Sequence, residues 1–189
     1  MLAVEDMKSK ERIKVIKMKN KIDFQLDKIA FLDRDGVVNV KMPDGCYVTN
    51  WSEFKFLDGA ISGIKLLNDF GYKIIIVTNQ RCIAKKIMTE YELNQIHQKM
   101  IEVVAASGGE IETIYYCPHD IGECQCRKPN VGLFLQAEKA FAVDKAKSFM
   151  IGDSVSDVEA GRKYGIQSYL LKNPENLESL TRKILKLNK

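Results

Sequence analysis

The stretch Ile29-Ala30-Phe31-Leu32-Asp33-Arg34-Asp35-Gly36 constrains this chain more than any other. Four apolar residues end abruptly in two carboxylates one residue apart, and a glycine follows. A short, bounded apolar run is what a parallel strand buried on both faces looks like. Asp33 and Asp35 would then leave the carboxyl end of that strand, where open α/β sheets bind ligands. In an extended segment, residues two apart point to the same side. Like charges held close raise one pKa unless a cation neutralises them. A divalent metal meets that demand and also draws in phosphate. Taken alone, the same residues suit a solvated acidic turn, so the rest of the chain has to decide.

The remainder alternates strands with helices. Residues 37–56 carry Pro43-Asp44-Gly45 flanked by Val38, Val40, Tyr47 and Val48. This turn signal predicts a small β flap over the strand end, with Trp51, Phe54 and Phe56 packing its base. Ile61, Ile64, Leu67 and Phe70 predict a helix closed by Gly71. The β-branched strand Lys73–Val77 then stops at Thr78-Asn79-Gln80. Thr89-Glu90-Tyr91-Glu92 is a capping box opening a helix that runs to about Ser107, in which His97 reads as a surface or internally satisfied side chain. Further strands are expected at 111–116, 148–151 and 166–171, and helices at 131–141 and 157–164. Asn173-Pro174, an N-cap with proline at the first helical position, would start a last helix carrying Leu177, Leu180, Ile184 and Leu187. Such alternation predicts an α/β fold, a parallel sheet with helices on both faces. The polar ends of its first, second and fourth strands would converge at one edge.

A chain of 189 residues accommodates one domain, here 27–189, preceded by a basic N-terminal extension, 1–26. Lys8, Lys10, Arg12, Lys14, Lys17, Lys19 and Lys21 supply much of the net charge of +4. A charge so mild and so localised reads as a solvated tail or helix, and no nucleic-acid partner is expected. Met1–Asp6 lacks the apolar core of a signal peptide, and no run is long enough to span a bilayer, so a cytoplasmic monomer is expected.

The converging residues suit hydrolysis of a phosphomonoester. Asp33 can attack phosphorus, splitting a difficult displacement into two easier ones. Asp35 can protonate the leaving alkoxide and then take a proton from the hydrolytic water. Asp153, from Gly152-Asp153 after the fourth strand, can join Asp33 and Asp35 around Mg²⁺, which prefers oxygen donors. Thr78 offers a hydroxyl to a phosphoryl oxygen, Asn79 offers its backbone N–H, and Lys128 is a compact charge suited to the same oxygens and to Asp33. Asp157 reads as a helix-terminus stabiliser rather than a ligand.

Three of the five cysteines cluster with a histidine in Cys117-Pro118-His119 and Cys124-Gln125-Cys126. Three thiolates and one imidazole, with no position left for water, describe a structural Zn²⁺ site. So polar a loop cannot fold on burial alone, and the ion would hold it. Arg127-Lys128-Pro129 follows directly, so the loop would position cations that face phosphate.

Asp33-Arg34-Asp35-Gly36, Thr78-Asn79-Gln80, Lys128 and Gly152-Asp153-Ser154-Val155-Ser156-Asp157 resemble the haloacid dehalogenase superfamily of aspartyl-phosphate phosphatases, over about Ile29–Leu171. Phe54–Gly59, Tyr115–His119 and Cys124–Pro129 are similar to its heptose 1,7-bisphosphate 7-phosphatase group, with the histidinol-phosphate phosphatases close by. That resemblance implies a Rossmann-like core without a large cap domain, covered instead by the flap around Cys46, the loop 81–88 and the zinc loop. It implies a Mg²⁺ cofactor, Asp33 as nucleophile, Asp35 as acid and base, and a small sugar phosphate as partner. Arg127 would contact the phosphate remote from the reacting centre. Where the family usually has Ser-Gly after Thr-Asn-Gln, this chain has Arg81-Cys82, and Arg81 becomes a candidate phosphate ligand. The competing readings are a histidinol-phosphate phosphatase, a polynucleotide 3′-phosphatase and, outside enzymes, a zinc-stabilised binding module on a phosphatase fold.

Overall fold

The computed structural model describes residues 26–187, so nearly all of the basic extension lies outside the described residues. The chain lays down β1 (Ile29–Leu32), a single 3₁₀ turn (Trp51–Glu53), α1 (Ala60–Asp69), β2 (Lys73–Asn79) and α2 (Glu90–Ala106). It continues through β3 (Thr113–Cys117), α3 (Gly132–Glu138), β4 (Phe149–Gly152), α4 (Val155–Tyr164), β5 (Gln167–Leu170) and α5 (Leu177–Ile184). All five strands are parallel, in the order β3-β2-β1-β4-β5. β1 is central, with Leu32 in register with Ile76 of β2 and Ile151 of β4.

The period of a strand sorts its side chains between two cores. Ala30, Leu32, Ile74 and Ile76 pack with α1, α2 and α5 through Ile64, Leu67, Leu93, Ile96, Met100 and Leu180. Ile29, Phe31, Ile75 and Val77 face the other way, onto Leu133, Phe134 and Ala137 of α3 and Ala160 and Tyr164 of α4. The continuous apolar runs in β1 and β2 are therefore the two faces of one doubly covered sheet, the Rossmann-like architecture expected. Among the described residues there is no large cap, and no helix is long and apolar enough to cross a membrane.

The elements differ from expectation at three edges. The flap is a loop whose sheet-like pairing, among the described residues, is limited to two isolated bridges, Asp35–Asn39 (parallel) and Asn39–Phe56 (antiparallel), with Val40 N–H donating to the Lys55 carbonyl at 2.8 Å. Trp51, Phe54 and Phe56 do form its aromatic base, Trp51 stacked on Phe54 at 4.9 Å. α3 stops at Glu138 because the chain tightens there into short bonds, Ala140 N–H reaching the Ala137 carbonyl. α5 begins after Asn176, not Asn173. The Asn176 side chain accepts from Ser179 N–H at 2.9 Å while Ser179 Oγ accepts from Asn176 N–H at 3.0 Å, a reciprocal cap that Asn173-Pro174 does not offer.

Candidate active site

The connections from β1 and β4 leave in opposite directions, and the carboxyl ends of these adjacent strands open a crevice of the kind that binds ligands in such sheets. A cavity of about 320 Å³ lies there. Its lining includes Asp33 and Asp35 after β1, Thr78 and Asn79 at the end of β2, Arg127 and Lys128 from the loop after β3, and Asp153 after β4.

Two glycines allow this convergence. A Cβ on Gly152 would come within 2.1 Å of Asp157 Cβ, so glycine lets the first turn of α4 close onto the strand end. Gly36 has φ +88°, and a Cβ there would meet Asp153 Oδ2 at 2.5 Å.

Lys128 is buried at the centre. Its Nζ lies 2.9 Å from Asp33 Oδ1 and 2.5 Å from Asp157 Oδ1, and donates to the Val77 carbonyl at 2.6 Å. Burial opposes its charge, but Asp33 and Asp157 together raise its pKa. Asp33 is pushed the other way from an ordinary carboxylate. Burial raises its pKa, Lys128 opposes this, and the charges of Asp157 and Asp35 add to the rise.

Oxygens of Asp33, Asp153 and Asp157 lie within 4.8 Å of one another. Three carboxylates around one buried ammonium leave negative charge in excess, and an all-oxygen donor set of this kind fits Mg²⁺. Asp157 is nonetheless committed on both oxygens. Oδ1 faces Lys128, and Oδ2 accepts from Ser154 N–H and Oγ in the capping box of α4. Asp153 pairs only with the exposed Lys41 among the described residues, at 2.7 Å. Lys41, on the flap, was not singled out by the sequence.

Asp35 does not join this cluster. Its carboxylate accepts from Arg34 Nη2 at 3.0 Å on both oxygens, from Asn39 Nδ2 at 2.9 Å and from Gln80 Nε2 at 2.9 Å. The chain is not extended beyond β1. It coils so that the N–H groups of Val37, Val38 and Asn39 all approach the Arg34 carbonyl, and the same-side rule for strands lapses. Burial would raise the Asp35 pKa, yet the Arg34 charge and the bonds from Asn39, Arg34 and Gln80 outweigh it and hold the carboxyl below its usual range.

Gln80, Arg34 and Asn39 are site residues that sequence reasoning missed. Gln80 Nε2 also donates to Thr78 Oγ1 at 3.0 Å, tying the Thr78 hydroxyl to the Asp35 network. Asn79 does more than offer backbone, because its side-chain amide is bonded to the backbone of Lys128. Arg127 lines the cavity and its Nη1 is buried without a hydrogen-bond partner, as suits a cation awaiting an anion. Arg81 is turned away from the cavity onto Asp120 of the Cys/His loop.

The metal-loop residues come together as their spacing predicts. Ligand atoms of Cys117, His119, Cys124 and Cys126 lie within 4.8 Å of one another, with His119 Nδ1 3.2 Å from Cys126 Sγ. Three sulfurs and one ring nitrogen suit Zn²⁺.

A doubly covered parallel sheet with this set of aspartates, threonine and lysine at its strand ends defines a phosphatase of the haloacid dehalogenase type. The family model described as polynucleotide kinase 3 phosphatase matches residues 28–179. The D-glycero-beta-D-manno-heptose-1,7-bisphosphate 7-phosphatase of Pasteurella multocida is 39% identical over 153 residues, covering 77% of this chain and 82% of that protein. The D-glycero-alpha-D-manno-heptose-1,7-bisphosphate 7-phosphatase of Campylobacter jejuni is 37% identical over 151 residues, covering 80% and 86%. Among solved structures, the D,D-heptose 1,7-bisphosphate phosphatase of B. bronchiseptica, complexed with magnesium and phosphate, superposes with a TM-score of 0.77 at 30% identity, covering 84% of this chain and 98% of that one. The chain belongs to this branch of the haloacid dehalogenase phosphatases and is a phosphoric monoester hydrolase.

Proposed function

We propose that the protein removes the 7-phosphate of D-glycero-D-manno-heptose 1,7-bisphosphate through an aspartyl-phosphate on Asp33. The observation that carries this reading is one cavity lined by Asp33, Asp35, Thr78 and Lys128, with Arg127 presenting an unpartnered buried nitrogen for a second phosphate. The names of the heptose bisphosphate relatives support the choice of sugar.

In the first step an Asp33 carboxylate oxygen attacks phosphorus, the bond from phosphorus to the sugar oxygen breaks, and Asp35 gives that oxygen its proton. Asp35 is ionised in the free site, and the arriving phosphoryl charge raises its pKa so that it takes up that proton from solvent as the substrate binds. Lys128, the Thr78 hydroxyl and the Asn79 backbone N–H face the equatorial oxygens, where negative charge is concentrated. In the second step water attacks the aspartyl-phosphate while Asp35 takes its proton. The Asp33–phosphorus bond breaks, restoring the Asp33 carboxylate, and Asp35 returns its proton to solvent as inorganic phosphate leaves. Mg²⁺ held by Asp33 and Asp153 would neutralise the excess carboxylate charge and screen the incoming phosphoryl group. Zn²⁺ on Cys117, His119, Cys124 and Cys126 would be structural, fixing the loop that carries Arg127 and Lys128.

The test is phosphate release from both heptose bisphosphate anomers and from histidinol phosphate, with Mg²⁺, for wild type and Asp33→Asn. The heptose bisphosphates are expected to be preferred and Asp33→Asn to be inert. A preference for histidinol phosphate would overturn the substrate, and an active Asp33→Asn would overturn the covalent step.

A further inference from the structure

Behind Asp35 runs a buried polar chain that the two steps above do not use. Arg34 is 1% exposed, and His97, on α2, meets a different terminal nitrogen of it from the one that serves Asp35. Nη2 of Arg34 serves Asp35 and also donates to Gln80 Oε1 at 3.3 Å, while Nη1 lies 3.2 Å from His97 Nε2. A guanidinium has only donors to offer, so His97 Nε2 has to accept and the imidazole proton sits on Nδ1. Burial and the Arg34 charge both favour that neutral ring, taking the His97 pKa down to about 3. A planar fork engaged at both ends has one pose, and its pose sets that of the carboxylate it grips.

We propose that His97 is a positioning residue for the acid–base step: by accepting from Arg34 Nη1 it fixes the guanidinium, which in turn aims the Asp35 carboxyl into the cavity. This rests on the reading that Asp35 exchanges a proton with the leaving oxygen, and it adds a residue that touches neither substrate nor metal. The plain alternative is that the ring only fills space against Tyr116, whose ring centroid is 5.8 Å away. An apolar side chain would satisfy that role, and only a hydrogen-bond acceptor satisfies the one proposed here.

The two are separated by comparing His97→Leu and His97→Gln on substrates whose leaving groups differ in basicity. A sugar alkoxide needs a proton to depart, whereas the phenolate of p-nitrophenyl phosphate departs without one. Because the same folded molecules act on both, the ratio of their kcat/KM values does not depend on the fraction folded. General acid catalysis contributes about 10²–10⁴ in rate, so a mispositioned acid should lower the sugar-to-aryl ratio about ten- to a hundredfold in His97→Leu. His97→Gln, which keeps an acceptor, should restore the ratio to within about threefold of wild type. In the wild type, ring ¹⁵N shifts between pH 5 and pH 8 should report a proton on Nδ1. Equal ratios in the two variants, or a proton on Nε2, would overturn the role of His97 and leave the phosphatase reading standing. A wild type that hydrolyses neither ester would overturn both.

Discussion

Asn79 holds both backbone polar groups of Lys128: its Nδ2 donates to the Lys128 carbonyl at 3.1 Å, and its Oδ1 accepts from the Lys128 N–H at 3.0 Å. One amide at the end of β2 therefore sets where the buried ammonium stands, although the two residues are 49 positions apart. Asn79→Ala leaves both groups unpaired and frees Lys128 to shift within the cavity. A misplacement of about 1 Å can cost roughly 10²-fold in rate, and a loss of kcat/KM of about that size is expected. Asn79→Asp, which keeps the acceptor and loses the donor, should fall between wild type and alanine. Steady-state kinetics on the three proteins checks the order.

Lys128 is itself the counter-charge of a crowded site. Lys128→Met leaves Asp33 and Asp157 facing each other with no cation between them, and removing one partner of a buried ion pair typically costs about 3–5 kcal/mol. Urea unfolding in a chelating buffer should show a loss of that order. Saturating Mg²⁺ should recover part of it, because an ion that binds only the folded site stabilises by mass action. A variant as stable as wild type without Mg²⁺ would remove Lys128 from the electrostatic argument.

What was legible in the sequence follows from what is local. β1 and β2 announce themselves because an apolar run stops where polar groups begin, and both ends do meet in one cavity. The Cys/His cluster is legible because Cys117, at the end of β3, and His119, Cys124 and Cys126 in the loop after it are close neighbours in the sequence. The contacts that were missed are long-range or run against the usual sorting of residues. Arg34 and Gln80, each 1% exposed, look like surface residues in a string of letters, because only the fold shows that they pair with each other and with Asp35. Arg81 looks like a phosphate ligand until the Cys/His loop brings Asp120, 39 positions away, within its reach. Asp35 was read by the geometry of a strand that ends at Leu32.

His97 gives the stability a pH dependence whose sign can be worked out. Its folded pKa, about 3, lies below the ordinary value of 6.5, so the unfolded chain binds a proton that the folded chain refuses. The contribution of His97 is fully present above about pH 6.5 and is lost as the pH falls towards about 3. Each pH unit in that window is worth about 1.4 kcal/mol. Urea titrations of wild type and His97→Gln at pH 7 and pH 5 should therefore show the wild-type advantage shrinking by about 2 kcal/mol at the lower pH. An advantage that is the same at both values would mean the ring is protonated, or exposed, in the folded protein.

The Cys/His loop is coupled through the backbone to the cations that line the cavity. Arg127 N–H donates to Cys124 Sγ at 3.4 Å, so a member of the Cys/His cluster also anchors the residue that begins the Arg127-Lys128 pair. Cys124→Ser is expected to lower the bound zinc, measured by elemental analysis, and to leave Arg127 without a fixed position. Groups that support a metal site typically change affinity or activity about 10–100-fold, and kcat/KM for a bisphosphate should fall by that order. A monophosphate substrate, which makes no demand on Arg127 for a second anion, should lose less. Equal losses would mean that the damage reaches activity through Lys128, which is held at its own end by Asn79. Unchanged kinetics in zinc-free protein would separate the metal from the chemistry altogether.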